Sequence, residues 1–415
     1  MKVLILSTFG NYGGAAVCSK RLSIALKRHN VDVTLGVLHA YDSESSFFLL
    51  QNNFYSKARK WVIFILERLQ VFFKIREKKF LYKFSSGQFG VNILNNPIIK
   101  QADVIHLHWI SFGFIDINQL VELSRIKPVL WTFHDMWAFT GGCHYTLGCN
   151  LYTKDCGSCF YLKNSKLSQN ILKSKFENWG NASFRIAATS NWLAECARNS
   201  AVFNKMWVDV LSTPIDIDIF KPLPKSEIRK KYKLYDESFY LLIGAVDFSD
   251  ERKGFYYLQE TLDILSLNSK NIHVLTFGQL ENELSSSVKC TSFGRISGIE
   301  ELNEIYNLAD IFVLPSIQDN LPNTCMEALS CGVPVVAFDC GGVNDMIDHL
   351  ENGYLAANRQ PNDLAKGINY FMDGQKRLLA SINSRNKVVR DYSESKIVSD
   401  HIEVYGEMLK TFQAH

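Results

Sequence analysis

The stretch Pro315-Ser316-Ile317-Gln318-Asp319-Asn320-Leu321-Pro322-Asn323-Thr324-Cys325-Met326-Glu327-Ala328 sets two carboxylates, Asp319 and Glu327, around an expected helix start. An apolar run ends at Leu314, a polar loop follows, and a helix is expected to begin near Asn323 or Thr324. Backbone N–H groups at such a start suit phosphate, and Glu327 in the first turn can reach ribose hydroxyls. The structural alternative is a helix cap, with Glu327 complementing the dipole. Asp250-Glu251-Arg252-Lys253-Gly254 has by itself the composition of a charged surface loop. Gly13-Gly14 open a helix after an apolar run. Glycine there permits close backbone approach to a phosphate or sugar, although a tight strand–helix turn needs it too. Gly10-Asn11-Tyr12-Gly13-Gly14 lacks the G-x-G-x-x-G spacing, and the second strand ends at Gly36-Val37-Leu38 without an acid for an adenosine ribose. Both points argue against an NAD enzyme. His134-Asp135 end another strand, where His134 either meets a ligand or caps the strand.

In order and spacing the chain resembles the retaining family 4 glycosyltransferases of GT-B architecture, of bacterial surface-polysaccharide type. The resemblance covers most of the chain. It rests on the acidic-x7-Glu signature Asp319/Glu327, followed by Ala328-Leu329-Ser330-Cys331-Gly332-Val333-Pro334, and on Gly13-Gly14, His134-Asp135, Ser190-Asn191-Trp192-Leu193, Lys253-Gly254, Tyr306-x3-Asp310 and Gly341-Gly342. It implies transfer of a sugar, with retention, from a nucleotide diphosphate donor to a glycan acceptor, lipid-linked in such pathways. It implies that Lys253 and Arg252 bind the donor diphosphate and that His134 contacts the transferred sugar. Gly13, Gly14, Arg295, Asp319, Asn320, Leu321, Asn323, Thr324 and Glu327 complete the donor site, with His134, Lys253 and Glu327 as the catalytic set. No metal or other cofactor is implied for catalysis. Two departures stand out: Asp319 replaces the family's usual Glu, and Gly244-Ala245 stands where the family has Gly-Arg, leaving Arg252 as the substitute. A nucleotide-sugar 2-epimerase and an inactive nucleotide-binding pseudo-transferase remain as alternative readings.

The elements that must position these residues read as α/β. Strand-like runs at Val3–Ser7, Val31–Leu38, Val104–Leu107, Val129–Phe133, Arg185–Thr189 and Val208–Leu211 alternate with helical periodicity. Pro214, Pro222 and Pro224 then mark a linker that includes the charged stretch Glu227–Lys233. A second alternation follows at Phe239–Val246, Ile272–Phe277, Ile311–Leu314 and Val335–Phe338. The expectation is two doubly wound, Rossmann-like domains facing a cleft at their strand C-terminal ends. Residues 1–215 form the acceptor domain and 216–394 the nucleotide-sugar domain, with a final helix over 395–413 packing back on the first. Asp216-Ile217-Asp218 has a D-x-D spelling but reads as linker. His106 and His108 share one face of a strand and read as a polar rim or core pair.

Two further patterns stand apart. Cys143, Cys149, Cys156 and Cys159 fall within seventeen residues, in a glycine-containing insert over 141–160. Cys156-Gly157-Ser158-Cys159 has zinc-knuckle spacing, so the four are candidates for structural zinc or for buried reduced thiols. Residues 57–83 hold nine Lys or Arg against two Glu, interleaved with Trp61, Phe64, Phe72, Phe73, Phe80 and Tyr82. This suits an amphipathic helix on an anionic membrane, or a helix with its aromatics in the core. The 415 residues carry a net charge of +3, which calls for no nucleic-acid partner. The apolar start is too short for a signal peptide, and no run reaches the roughly 20 residues of a membrane span. A cytoplasmic protein, peripheral on the inner face of the plasma membrane, is expected.

Overall fold

The computed structural model describes residues 1–40, 48–50, 54–180, 182–234, 238–268, 271–279, 284 and 288–413. The chain divides into two compact units, Met1–Pro214 with Ile397–His415, and Ile215–Lys396.

The first unit runs β1 (Lys2–Phe9), α1 (Gly14–Arg28), β2 (Asp32–His39), β3 (Phe48–Leu49), α2 (Phe54–Lys74), α3 (Pro97–Gln101), β4 (Val104–Leu107), α4 (Ile117–Ile126), β5 (Val129–Phe133), α5 (Lys166–Trp179), β6 (Arg185–Ala188), α6 (Asn191–Arg198) and β7 (Val208–Val210). Its seven strands are parallel in the order β3-β2-β1-β4-β5-β6-β7. A parallel sheet is covered on both faces, so its strands read as continuous apolar runs. In β1, Leu4 and Leu6 enter the core on one face while Val3 and Ile5 enter the core on the other.

The second unit runs α7 (Lys225–Lys231), β8 (Phe239–Asp247), α8 (Phe255–Asn268), β9 (Ile272–Gln279), β10 (Lys289–Ser292), α9 (Ile299–Leu308), β11 (Ile311–Leu314), α10 (Asn323–Ser330), β12 (Val335–Phe338), β13 (Gly353–Ala356), α11 (Pro361–Tyr370) and α12 (Gly374–Asp391). The sheet order is β10-β9-β8-β11-β12-β13, again parallel. Tyr240 and Leu242 of β8 face one core, Leu241 and Ile243 the other. The charged stretch Glu227–Lys233, expected as linker, mostly belongs to α7. There Arg229 turns inward to pair with Asp310. A final helix, α13 (Glu394–Gln413), sends Ile397, Val398, Val404, Tyr405 and Met408 into the first unit's core.

The strand order reverses between β1 and β4 in the first unit and between β8 and β11 in the second. Ligands of open α/β sheets bind at the strand carboxyl ends beside such switch points. The loops after β1, β4 and β5 carry Gly13-Gly14, His108 and His134-Asp135. Those after β8, β11 and β12 carry Arg252-Lys253, Asp319 and Gly341-Gly342.

Candidate active site

In the second unit three loops converge on Asp319. The ammonium of Lys253 donates to Asp319 Oδ2 at 2.6 Å, and a guanidinium nitrogen of Arg252 lies 3.8 Å from Oδ1. Burial pushes the Asp319 carboxyl up, but Lys253 and Arg252 outweigh it and hold the pKa below the usual value. Arg252 also binds Asp250 and donates to the carbonyl of Gln318, while Ile317 N–H donates to the carbonyl of Arg252. The 250–254 loop is thus stitched to the loop after β11. Gly254, at φ 68°, makes this possible, since a Cβ there would sit 1.8 Å from the carbonyl oxygen of Pro315. Gly341 lies equally close to the backbone of Asp319, and Gly342 N–H donates to the Asp319 carbonyl. The sequence-level substitute for the missing Arg, Arg252, is therefore engaged in holding two loops together, while Lys253 extends to the carboxylate.

Helix α10 begins at Asn323 after Pro322, with no side-chain cap. Asn320 is buried, and Leu321, Asn323 and Thr324 are half-buried around this start. Glu327 lies just past the first turn rather than in it, buried, with Oε2 accepting from the hydroxyl of Tyr306 at 2.7 Å. Tyr306 is thus a site residue whose sequence signal was only its place in Tyr306-x3-Asp310. Asp310 itself pairs with Arg229 and Arg377 and accepts from Tyr240 N–H, which makes it a brace for β8, α7 and α12. Arg295 is exposed after β10, next to Gly294 at φ 65°. Asp216 accepts from the N–H groups of Asp218 and Ile219, which commits its carboxylate to a local turn.

In the first unit Gly13, at φ 87°, precedes α1 with open space where a Cβ would point. Gly14 is the first residue of α1. His134 Nε2 lies 2.7 Å from Nδ1 of the buried His108, whose Nε2 has no hydrogen-bond partner among the described residues. Burial lowers the pKa of His134 to about 4, against the opposing charge of Asp135. Both imidazoles are neutral near pH 7. His106 is core, bonded to Tyr405 of α13 and to Thr132.

Asp135 accepts from Trp109 Nε1, His144 Nδ1 and Trp137 N–H, all at 2.8 Å. Burial raises its pKa, but His144 and the other donors lower it further. Its role is to orient the loop that carries His134.

Helix α2 is turned inside out. Lys60, Glu67 and Arg68 are buried, with Glu67 accepting from Arg68 and from Ser86 N–H. Outward it presents Trp61 (50% exposed), Val62, Ile65, Leu66, Leu69, Phe72 and Phe73 (66% exposed). The expected helix over 57–83 ends at Lys74 and is followed by a short 3-10 turn at Lys78–Lys83, so the core alternative fails for Trp61, Phe72 and Phe73 of α2 and Tyr82 of the turn, holds for Phe80 of the turn, and leaves Phe64 half-buried. No helix among the described residues is long and apolar enough to cross a membrane.

The four insert cysteines line one small cavity beside α5. Burial raises the thiol pKa of Cys143, Cys156 and Cys159, that of Cys156 to about 11.

Residues 239–373 match the family described as Glycosyl transferases group 1. The chain is 27% identical over 147 residues to the N,N'-diacetylbacillosaminyl-diphospho-undecaprenol alpha-1,3-N-acetylgalactosaminyltransferase of Campylobacter jejuni, covering 35% of this chain and 39% of that one. The chain spans about half the length of the curated relatives it matches. Among solved structures, sucrose-phosphate synthase of Thermosynechococcus elongatus aligns over 99% of both chains, with TM-score 0.69 at 17% identity. HepE of Anabaena in complex with UDP-glucose aligns over 98% of this chain and 100% of its own, with TM-score 0.67 at 15% identity. The chain thus has the GT-B fold of these structures, and residues 239–373 match the glycosyl transferase family.

Proposed function

We propose that the protein is a retaining hexosyltransferase of family 4 type. It moves a sugar from a nucleoside diphosphate donor to a glycan acceptor carried on a polyprenyl diphosphate, in bacterial surface polysaccharide assembly. The observation that carries this is the Lys253–Asp319 pair in the unit that matches the glycosyl transferase family. A half-buried ammonium fixed by a carboxylate is what a departing diphosphate requires. The Campylobacter relative supports the polyprenyl-linked acceptor by its name, and the UDP-glucose bound to the Anabaena neighbour supports the donor class.

Lys253 neutralises the charge that develops on the diphosphate, and the positive end of α10 adds its dipole. Glu327, oriented by Tyr306, accepts from the ribose hydroxyls. By the family resemblance His134, neutral, contacts the transferred sugar. The C1–O bond to phosphate breaks as the acceptor oxygen bonds C1 on the same face, and the acceptor proton passes to the leaving phosphate oxygen. No protein nucleophile and no metal take part, so the enzyme contributes position and field.

The outward apolar stripe of α2, with Lys57, Arg59, Lys74, Lys78, Lys79 and Lys83 around it, fits the inner surface of an anionic membrane, where such acceptors reside. The test is incubation with nucleoside diphosphate sugars and membranes bearing polyprenyl-linked glycans, with product configuration read by NMR. Retained configuration at the new bond is expected. An inverted product rejects the mechanism, and epimerised donor without transfer rejects the activity.

A further inference from the structure

The insert over 141–160 plays no part in the donor chemistry, and its construction is unusual. Apart from one short turn at Leu151–Thr153 it forms no helix or strand. A structureless loop of that length inside a compact unit needs something to hold it. Cys143, Cys149, Cys156 and Cys159, all free thiols, converge from across the loop on one cavity of about 20 Å³. The backbone is bent to bring them there. Cys156 adopts φ 52°, and Gly142, at φ 125°, passes so close to Phe84 that a Cβ would sit 2.4 Å from the ring.

A hydrogen bond already points at one sulfur: Gly141 N–H donates to Cys156 Sγ at 3.3 Å, while Leu162 N–H donates to the Cys159 carbonyl and closes the turn there. Beside them lies Lys175, fully buried, whose ammonium donates to the carbonyls of Trp137 and Thr140 and has no carboxylate partner among the described residues. Four thiolates around one divalent ion carry a net charge of −2, which the buried Lys175 and the Gly141 N–H donor would offset.

We propose that Cys143, Cys149, Cys156 and Cys159 bind one zinc ion as a closed, four-thiolate structural centre. Zn²⁺ and four thiols give the tetrathiolate dianion and four protons. Among the described residues no three ligand side chains are yet gathered at ligating distance, so binding draws the sulfurs inward to about 2.3 Å from the metal and closes the cavity. Because all four positions are filled by protein, the ion activates no water. It fixes the loop in which His144, next to Cys143, holds Asp135. The inference is independent of the donor-site reading.

The test is metal analysis of the full chain, purified without chelator from zinc-supplemented medium, together with cobalt exchange. About one zinc per chain is expected, and excess chelator should release it in step with the appearance of reactive thiols. Cobalt should give thiolate charge-transfer bands and intense tetrahedral d–d bands in the wild-type chain, a readout that needs no variant to fold. The Cys156→Ser/Cys159→Ser double variant should lose the zinc. Less than about 0.2 zinc per chain without uptake of added zinc or cobalt overturns the proposal. So does full zinc retention in the double variant, or alkylation mapping that finds these cysteines in disulfides.

Discussion

Lys253 and Asp319 hold each other, and each changes what the other can do. Asp319 fixes the ammonium in place, which lowers the ordering entropy that a free lysine would lose on binding a diphosphate. It also competes with the phosphate for the same protons. Asp319, one methylene shorter than the glutamate usual in the family, reaches Lys253 because Gly341 and Gly254 let the loops close around it. In the other unit the proposed contact of His134 with the sugar makes His108, bonded to it, a positioning residue. His108→Phe is expected to lower turnover several-fold while leaving nucleoside diphosphate affinity unchanged, as read by steady-state kinetics beside calorimetric binding. A matching loss of affinity would mean that the variant has disturbed the fold and not the His108–His134 pair. Lys253, Asp319, Glu327 and His134 became candidates through the family resemblance, which the order and spacing of the motifs carry. Their partners did not. His106–Thr132, His108–His134 and Trp109–Asp135 are each separated by 26 residues, two beyond the parallel register of β4 on β5, which pairs His106 with Leu130. No local pattern carries that register.

At the scale of elements, α2 shows how far composition can go. Its basic and aromatic content was visible, but which face turns inward depended on Glu67 and Arg68 finding partners in the 81–86 segment. Phe72→Glu with Phe73→Glu is expected to abolish flotation with phosphatidylglycerol vesicles. Since both rings are exposed, stability should change by no more than about 0.5 kcal/mol each. Unchanged flotation would remove the membrane role. Helix α13 supplies a second prediction. It packs His401 and Tyr405 against His106, giving with His108 and His134 a buried imidazole cluster. Burial lowers the pKa of all four, those of His134 and His401 to about 4. Unfolded imidazoles titrate near 6.5, so between pH 6.5 and 4 the unfolded chain binds more protons. Stability from the cluster is fully present above about pH 7 and is lost as pH falls through that window, by on the order of 1 kcal/mol per histidine per pH unit. Denaturant unfolding across pH 7 to 5 checks this, and a flat profile would contradict it. The strands that the apolar runs missed, β3, β10 and β13, all lie at sheet edges. An edge strand has one neighbour and less burial, so it carries no continuous apolar run; β10 is largely exposed.

At the scale of the whole molecule, the chain crosses from the first unit to the second once near Pro214 and returns at Ile397. The proline-marked boundary was legible because few residue types suit a crossing. The return was legible only by analogy, since the apolar face of α13 does not say which core it enters. Truncation after Lys396 is expected to destabilise the first unit by several kcal/mol, because five core side chains leave it. Limited proteolysis should then degrade that unit first. The central claim is that the second unit binds a nucleoside diphosphate through Lys253, and thermal shift against UDP, GDP, ADP and CMP, with Lys253→Ala alongside, tests it most directly. One diphosphate should stabilise the wild type, by about 2.7 kcal/mol at 100 times its dissociation constant. Lys253→Ala should weaken that binding about 10- to 150-fold, the loss of one charge-assisted bond. No stabilisation by any diphosphate, or equal stabilisation of the variant, would contradict the account.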